Sequence, residues 1–185
     1  SEVEEIFKRV TDLLKRNRDL VREILERSRR LVERNDREAK KILDDARRLI
    51  EELEDAVRKE RDKDTLRKKV KELRDEVKRL VDRLRKHSKD VLDTDRKLVK
   101  ELEDHSKELE KEVERLLEEL ERRSRDERVK KLLDELRERV KRSVEESRRV
   151  LDDSRRKSED SLRRSEELLK RVEEIVERVA REVER

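Results

Sequence analysis

The stretch Val3-Glu4-Glu5-Ile6-Phe7-Lys8-Arg9-Val10-Thr11-Asp12-Leu13-Leu14-Lys15-Arg16-Asn17 sets the pattern that decides the fold. Val3, Ile6, Val10 and Leu13 follow steps of three and four, which places them on one face of an α-helix. The residues between them are mostly Glu, Lys and Arg, all strong helix formers. The stripe continues through Leu20, Ile24, Leu31, Ile42, Ala46, Leu49, Leu53 and Ala56. From Val3 to Val57, and again from Val129 to Val183, fifteen turns take 54 residues, or 3.6 per turn. A strict 3.5 repeat would impose a left-handed supercoil, so the expected bundle is elongated and nearly straight.

Two lapses interrupt the pattern. Arg58-Lys59-Glu60-Arg61-Asp62-Lys63-Asp64-Thr65 has no apolar residue, and neither has Glu121-Arg122-Arg123-Ser124-Arg125-Asp126-Glu127-Arg128. Each supplies side chains able to cap a helix N-terminus: Asp62 or Asp64 in the first, Ser124 or Asp126 in the second. Ser124 with Glu127, and Ser1 with Glu4, have the spacing of a capping box. The sequence therefore predicts an all-α, up-down-up three-helix bundle forming a single domain over residues 1–185, with helices at about 2–60, 65–122 and 127–185. Connections this short force consecutive helices to run antiparallel.

Composition narrows the function classes. Charged residues make up 61% and hydrophobic residues 30%, and the formal net charge is +4. Such a mixture suggests disorder, but the apolar residues are almost all Leu, Val and Ile at helical spacing, which disorder does not explain. Acids and bases interleave at spacings of three and four, as a solvated face laced with ion pairs would. A nucleic-acid binder would gather its Lys and Arg on one face or segment, so no nucleic-acid partner is expected. No apolar run exceeds two residues, so no membrane span is expected either. Helix 2 is basic over residues 63–100, where antiparallel packing sets it beside the more acidic residues 166–185 of helix 3.

Polar residues that break the stripe are the candidate site residues. They are Asn17, Ser28 and Asn35 in helix 1, and His87, Thr94 and His105 in helix 2. Helix 3 carries the pairs Ser143/Ser147, Ser154/Ser158 and Ser161/Ser165, each at i,i+4 and so on one face. Antiparallel register assembles them into three layers. The first is Asn17, His105, Ser143 and Ser147; the second is Ser28, Thr94, Ser154 and Ser158; the third is Asn35, His87, Ser161 and Ser165. The outer two are copies, offset by 18 residues in every helix, or five turns of a straight helix. Their neighbours repeat too: Arg16-Asn17 as Arg34-Asn35, and His87-Ser88-Lys89 as His105-Ser106-Lys107.

Such layers act through specificity. Leu packing tolerates slips in register, whereas a buried polar group without a partner costs roughly 1–3 kcal/mol. Two sharper readings fail on chemistry. His105 with Ser143 or Ser147 and Asn17 has the residue types of a Ser-His-Asn catalytic set, but mid-helix amides are already bonded and cannot form an oxyanion hole. His87 and His105 lie about 27 Å apart along a helix and cannot share a metal ion. No catalytic activity, metal or cofactor is expected.

The chain contains no Gly, Pro, Cys, Met, Trp or Tyr, where an average protein has Gly near 7% and Pro near 5%. With the duplicated layers and the Glu/Lys/Arg surface, this resembles the family of computationally designed helical bundles that carry modular buried hydrogen-bond networks. The resemblance covers the whole chain and implies a designed scaffold without biochemical activity, soluble in the cytoplasm of an expression host. Some members of that family use buried histidines that acid disrupts, so it also implies pH sensitivity if His87 and His105 are buried, since protonation turns an accepting nitrogen into a donor. No partner is required, and a monomer is expected. The alternatives are a helix-mediated interaction module, or a homo-oligomer assembled by helix exchange.

Overall fold

The computed structural model describes residues Ser1–Glu184 as three helices, α1 (Glu2–Lys59), α2 (Lys63–Arg123) and α3 (Glu127–Glu184). The expected last residue of helix 3, Arg185, lies outside the described residues. The other helix ends fall within two residues of those read from the sequence. The fold is the expected all-α three-helix bundle.

Each connection has three residues, Glu60–Asp62 and Ser124–Asp126. Among the described residues none has positive φ and no peptide bond is cis, so neither turn needs glycine. Asp62 caps α2: its carboxylate accepts from the Asp64 amide at 3.3 Å and from Thr65 Oγ1 at 2.8 Å. Asp126 caps α3 in the same way, accepting from the Arg128 amide at 3.2 Å. Asp64 and Ser124, the other candidates, do not take the cap. The Ser124 amide instead continues the ladder of α2 by bonding Leu120 O at 3.2 Å. At the chain start Ser1 and Glu4 do pair, the Glu4 amide on Ser1 Oγ at 3.4 Å and the amino terminus 3.8 Å from the Glu4 carboxylate.

The helices contribute to two compact units, one of Ser1–Arg30 with Asp95–Arg156, the other of Leu31–Thr94 with the chain from Lys157. In the first unit, one apolar cluster centres on Val10, Leu120 and Leu136, and another on Ile24, Leu102 and Leu151. In the second, Ile42, Leu84 and Leu169 anchor one cluster, and Leu53, Val70 and Ala180 another. Every cluster draws on all three helices, so no helix can leave without exposing apolar surface in both units. The antiparallel order of α1 and α2 is visible in two ion pairs of the first unit, Glu2 with Arg123 at 2.7 Å and Arg9 with Glu112 at 3.0 Å.

Candidate functional site

The buried polar residues of the first unit form two networks. In the first, Ser106 Oγ donates to Asn17 Oδ1 at 3.1 Å, and Asn17 Nδ2 donates to Ser147 Oγ at 3.1 Å. The Ser147 hydroxyl in turn donates to Ser143 O at 2.9 Å, so Ser143, half-buried, serves through its backbone rather than its side chain. One amide thus bonds both other helices. In the second network Ser28 Oγ donates to Asp95 Oδ1 at 2.5 Å and lies 2.8 Å from Ser154 Oγ. Asp95 is a charged side chain only 3% exposed.

The second unit holds the third network. Ser88 Oγ donates to Asn35 Oδ1 at 3.0 Å, and Ser161 Oγ donates to Asp36 Oδ1 at 2.6 Å. Ser158 and Ser165 are buried in the same unit. The copied arrangement is the Asn–Ser pair: Ser106 on Asn17 and Ser88 on Asn35, 18 residues apart on both helices.

The helix 1 and helix 3 residues read from the sequence are therefore brought inward, whereas the three from helix 2 are not. His105 and Thr94 are exposed, and His87 is half-buried. Thr94 uses its hydroxyl within α2, donating to Asp90 O at 2.9 Å. The network positions lie one residue further along, at Ser106, Asp95 and Ser88. That step follows from the stripe of α2, whose buried positions run Val77, Val81, Leu84, Ser88, Asp95, Val99, Leu102 and Val113 in helical spacing, with half-buried Ser106 in phase between the last two. A Ser-His-Asn set is not assembled, since His105 points outward while Ser147 is buried under Asn17. The proposed acid sensitivity loses its basis in a buried pair of histidines. His87 does keep an enclosed Nε2 that meets no hydrogen-bond partner.

Outside the core, ion pairs join acids of α2 to bases of α3, as Glu121–Arg137 at 2.8 Å and Glu103–Arg155 at 2.7 Å, and also lie where α2 is basic and α3 acidic. Arg85 spans Glu166 at 3.2 Å and Glu173 at 2.7 Å, and Arg74 meets Glu177 at 2.6 Å. Desolvation works against the charge of Arg85, but the hydrogen bonds and charges of the two glutamates outweigh it and hold its pKa above the ordinary value. Among the described residues no group of three His, Cys, Asp or Glu side chains converges as metal ligands would. Among the described residues no helix is long and apolar enough to cross a membrane.

No family model matches the sequence, and no curated protein matches it. A solved structure described as a computationally designed three helix bundle aligns over 98% of this chain and 86% of its own, with a TM-score of 0.54 at 20% identity. At that identity the likeness is one of fold, and the chain has the fold of a designed three-helix bundle.

Proposed function

We propose that this chain is a designed structural scaffold with no biochemical activity of its own, whose buried polar networks fix the register of its three helices. The observation that carries the reading is Asn17, which accepts from α2 through Oδ1 and donates to α3 through Nδ2. Sliding α2 by one turn would strand the oxygen of that amide, and sliding α3 its nitrogen, at roughly 1–3 kcal/mol for each unpaired group. Apolar clusters lie on both sides of it in the chain, so a slip that keeps Leu on Leu is penalised by this layer. The design reading is supported by the absence of six residue types, the 18-residue copy and the likeness to a designed bundle.

Ser147 gives its proton to the backbone carbonyl of Ser143 at 2.9 Å and not to a side-chain base, which is not the arrangement of an activated nucleophile. The test replaces one network with apolar groups, Asn17→Leu with Ser106→Ala and Ser147→Ala. The variant should unfold at equal or higher denaturant, because apolar replacements of matched polar groups are near neutral or stabilising. It should also lose the single register, giving doubled amide resonances or mixed masses by light scattering. A single well-dispersed species of 22.8 kDa for parent and variant alike would remove the register role. The alternative, assembly by helix exchange, requires the parent itself to exceed that mass.

A further inference from the structure

We propose that the Asn17 network is the floor of a binding site for a small apolar molecule bearing one hydroxyl group, such as an alkylphenol. A cavity of about 340 Å³ opens in the first unit beside this network. Its walls are Leu14, Leu109, Val140 and Val144, all half-buried apolar side chains, and its floor is Asn17, Ser106 and Ser147. Charged side chains also line it: Glu103, Lys107, Glu110, Arg148 and Asp152. A dry cavity of about 150 Å³ lined by apolar side chains accepts benzene, so this one has room for a substituted ring.

The polar floor decides the ligand class. Asn17 uses one of its two N–H groups on Ser147, and Ser106 gives its only proton to Asn17 Oδ1. That leaves an amide N–H able to donate and a Ser106 oxygen able to accept. A hydroxyl satisfies both, since it accepts and donates at one atom. A carboxylate would meet a second acceptor at Ser106, and the carboxylates of Glu103, Glu110 and Asp152 in the lining would repel it. Eighteen residues on in α3 the position of Val144 is held by Leu162.

The experiment titrates the full chain with 4-propylphenol and, separately, with propylbenzene, following backbone amide resonances. Saturable shifts centred on Asn17, Ser106, Val140 and Val144 are expected for the phenol, with about fivefold weaker binding of the hydrocarbon, the ratio one neutral hydrogen bond provides. Val144→Phe should abolish binding. Val144→Leu, a milder filling already present in the copy, should weaken it severalfold while leaving the denaturant midpoint unchanged or raised. The denaturant midpoint of the parent, but not of the filled variants, should rise with phenol concentration. The proposal is overturned if the phenol does not saturate below its solubility, if phenol and hydrocarbon bind alike, or if the folded Val144→Leu variant binds as the parent does. None of these outcomes bears on register, which is read from the network variant without ligand.

Discussion

Ser28 hands its hydroxyl proton to the buried carboxylate of Asp95 across 2.5 Å, a distance short even for a bond to a charged acceptor. Taking a carboxylate out of water carries a penalty of several kcal/mol before compensation, and the Ser28 hydroxyl supplies part of that compensation. Asp95→Asn keeps an acceptor for Ser28 and removes the charge, two changes of opposite sign, and should alter stability by less than about 1 kcal/mol. Asp95→Ala removes the acceptor and leaves a void, and should cost about 2–3 kcal/mol. Urea unfolding of both variants at neutral pH decides the matter. An alanine variant as stable as the asparagine one would mean that the Ser28 bond contributes nothing.

The neighbouring pair His105 and Ser106 gives a sharper contrast. Ser106→Ala withdraws a donor from Asn17 Oδ1 and should cost about 1–2 kcal/mol. His105 is exposed, and His105→Ala should stay within about 0.5 kcal/mol, as surface substitutions do. Equal losses from the two would contradict the phase of α2 described above.

That phase is also where reading from sequence stopped short. The helices, their antiparallel order and the inward residues of α1 and α3 follow from steps of three and four, because in those helices the polar exceptions are small and uncharged. Helix 2 offers two stripes one residue apart, kept alike by the doublets Val91-Leu92 and Leu98-Val99. Histidine draws attention as the rarer residue, and an aspartate in a chain that is 61% charged reads as surface. Asp95 was the discriminating residue: with it the buried set steps evenly from Ser88 to Ser106, and the repeat His-Ser-Lys contributes its serine. The cavity beside Asn17 had no signature in periodicity, since it depends on how far a valine falls short of a leucine.

The turns separate two readings of each lapse. Asp62 and Asp126 accept from the second amide of their helices, so Asp62→Ala and Asp126→Ala should each cost about 1 kcal/mol. Ser124→Ala, two residues before the second cap, should cost less than about 0.5 kcal/mol. Thermal or urea unfolding of the three variants checks the order, and a Ser124 effect as large as that of Asp126 would return the cap to Ser124.

Arg85 tests what the charged surface contributes. Its guanidinium joins two carboxylates of another helix, Glu166 and Glu173. The site remains wet, with the arginine side chain 37% exposed, so solvent screening reduces what the geometry alone would promise. Arg85→Gln should therefore cost less than about 1 kcal/mol, and a double-mutant cycle with Glu173→Gln should give a coupling of a few tenths. Repeating the cycle in 1 M NaCl, where the Debye length falls to about 3 Å, should shrink that coupling further. The polarity of α2 against α3 would then act by disfavouring wrong helix orders, through many small terms, while the apolar clusters supply most of the stability. A coupling of several kcal/mol that survives high salt would reverse this ranking and make the Arg85 bridge a structural element in its own right.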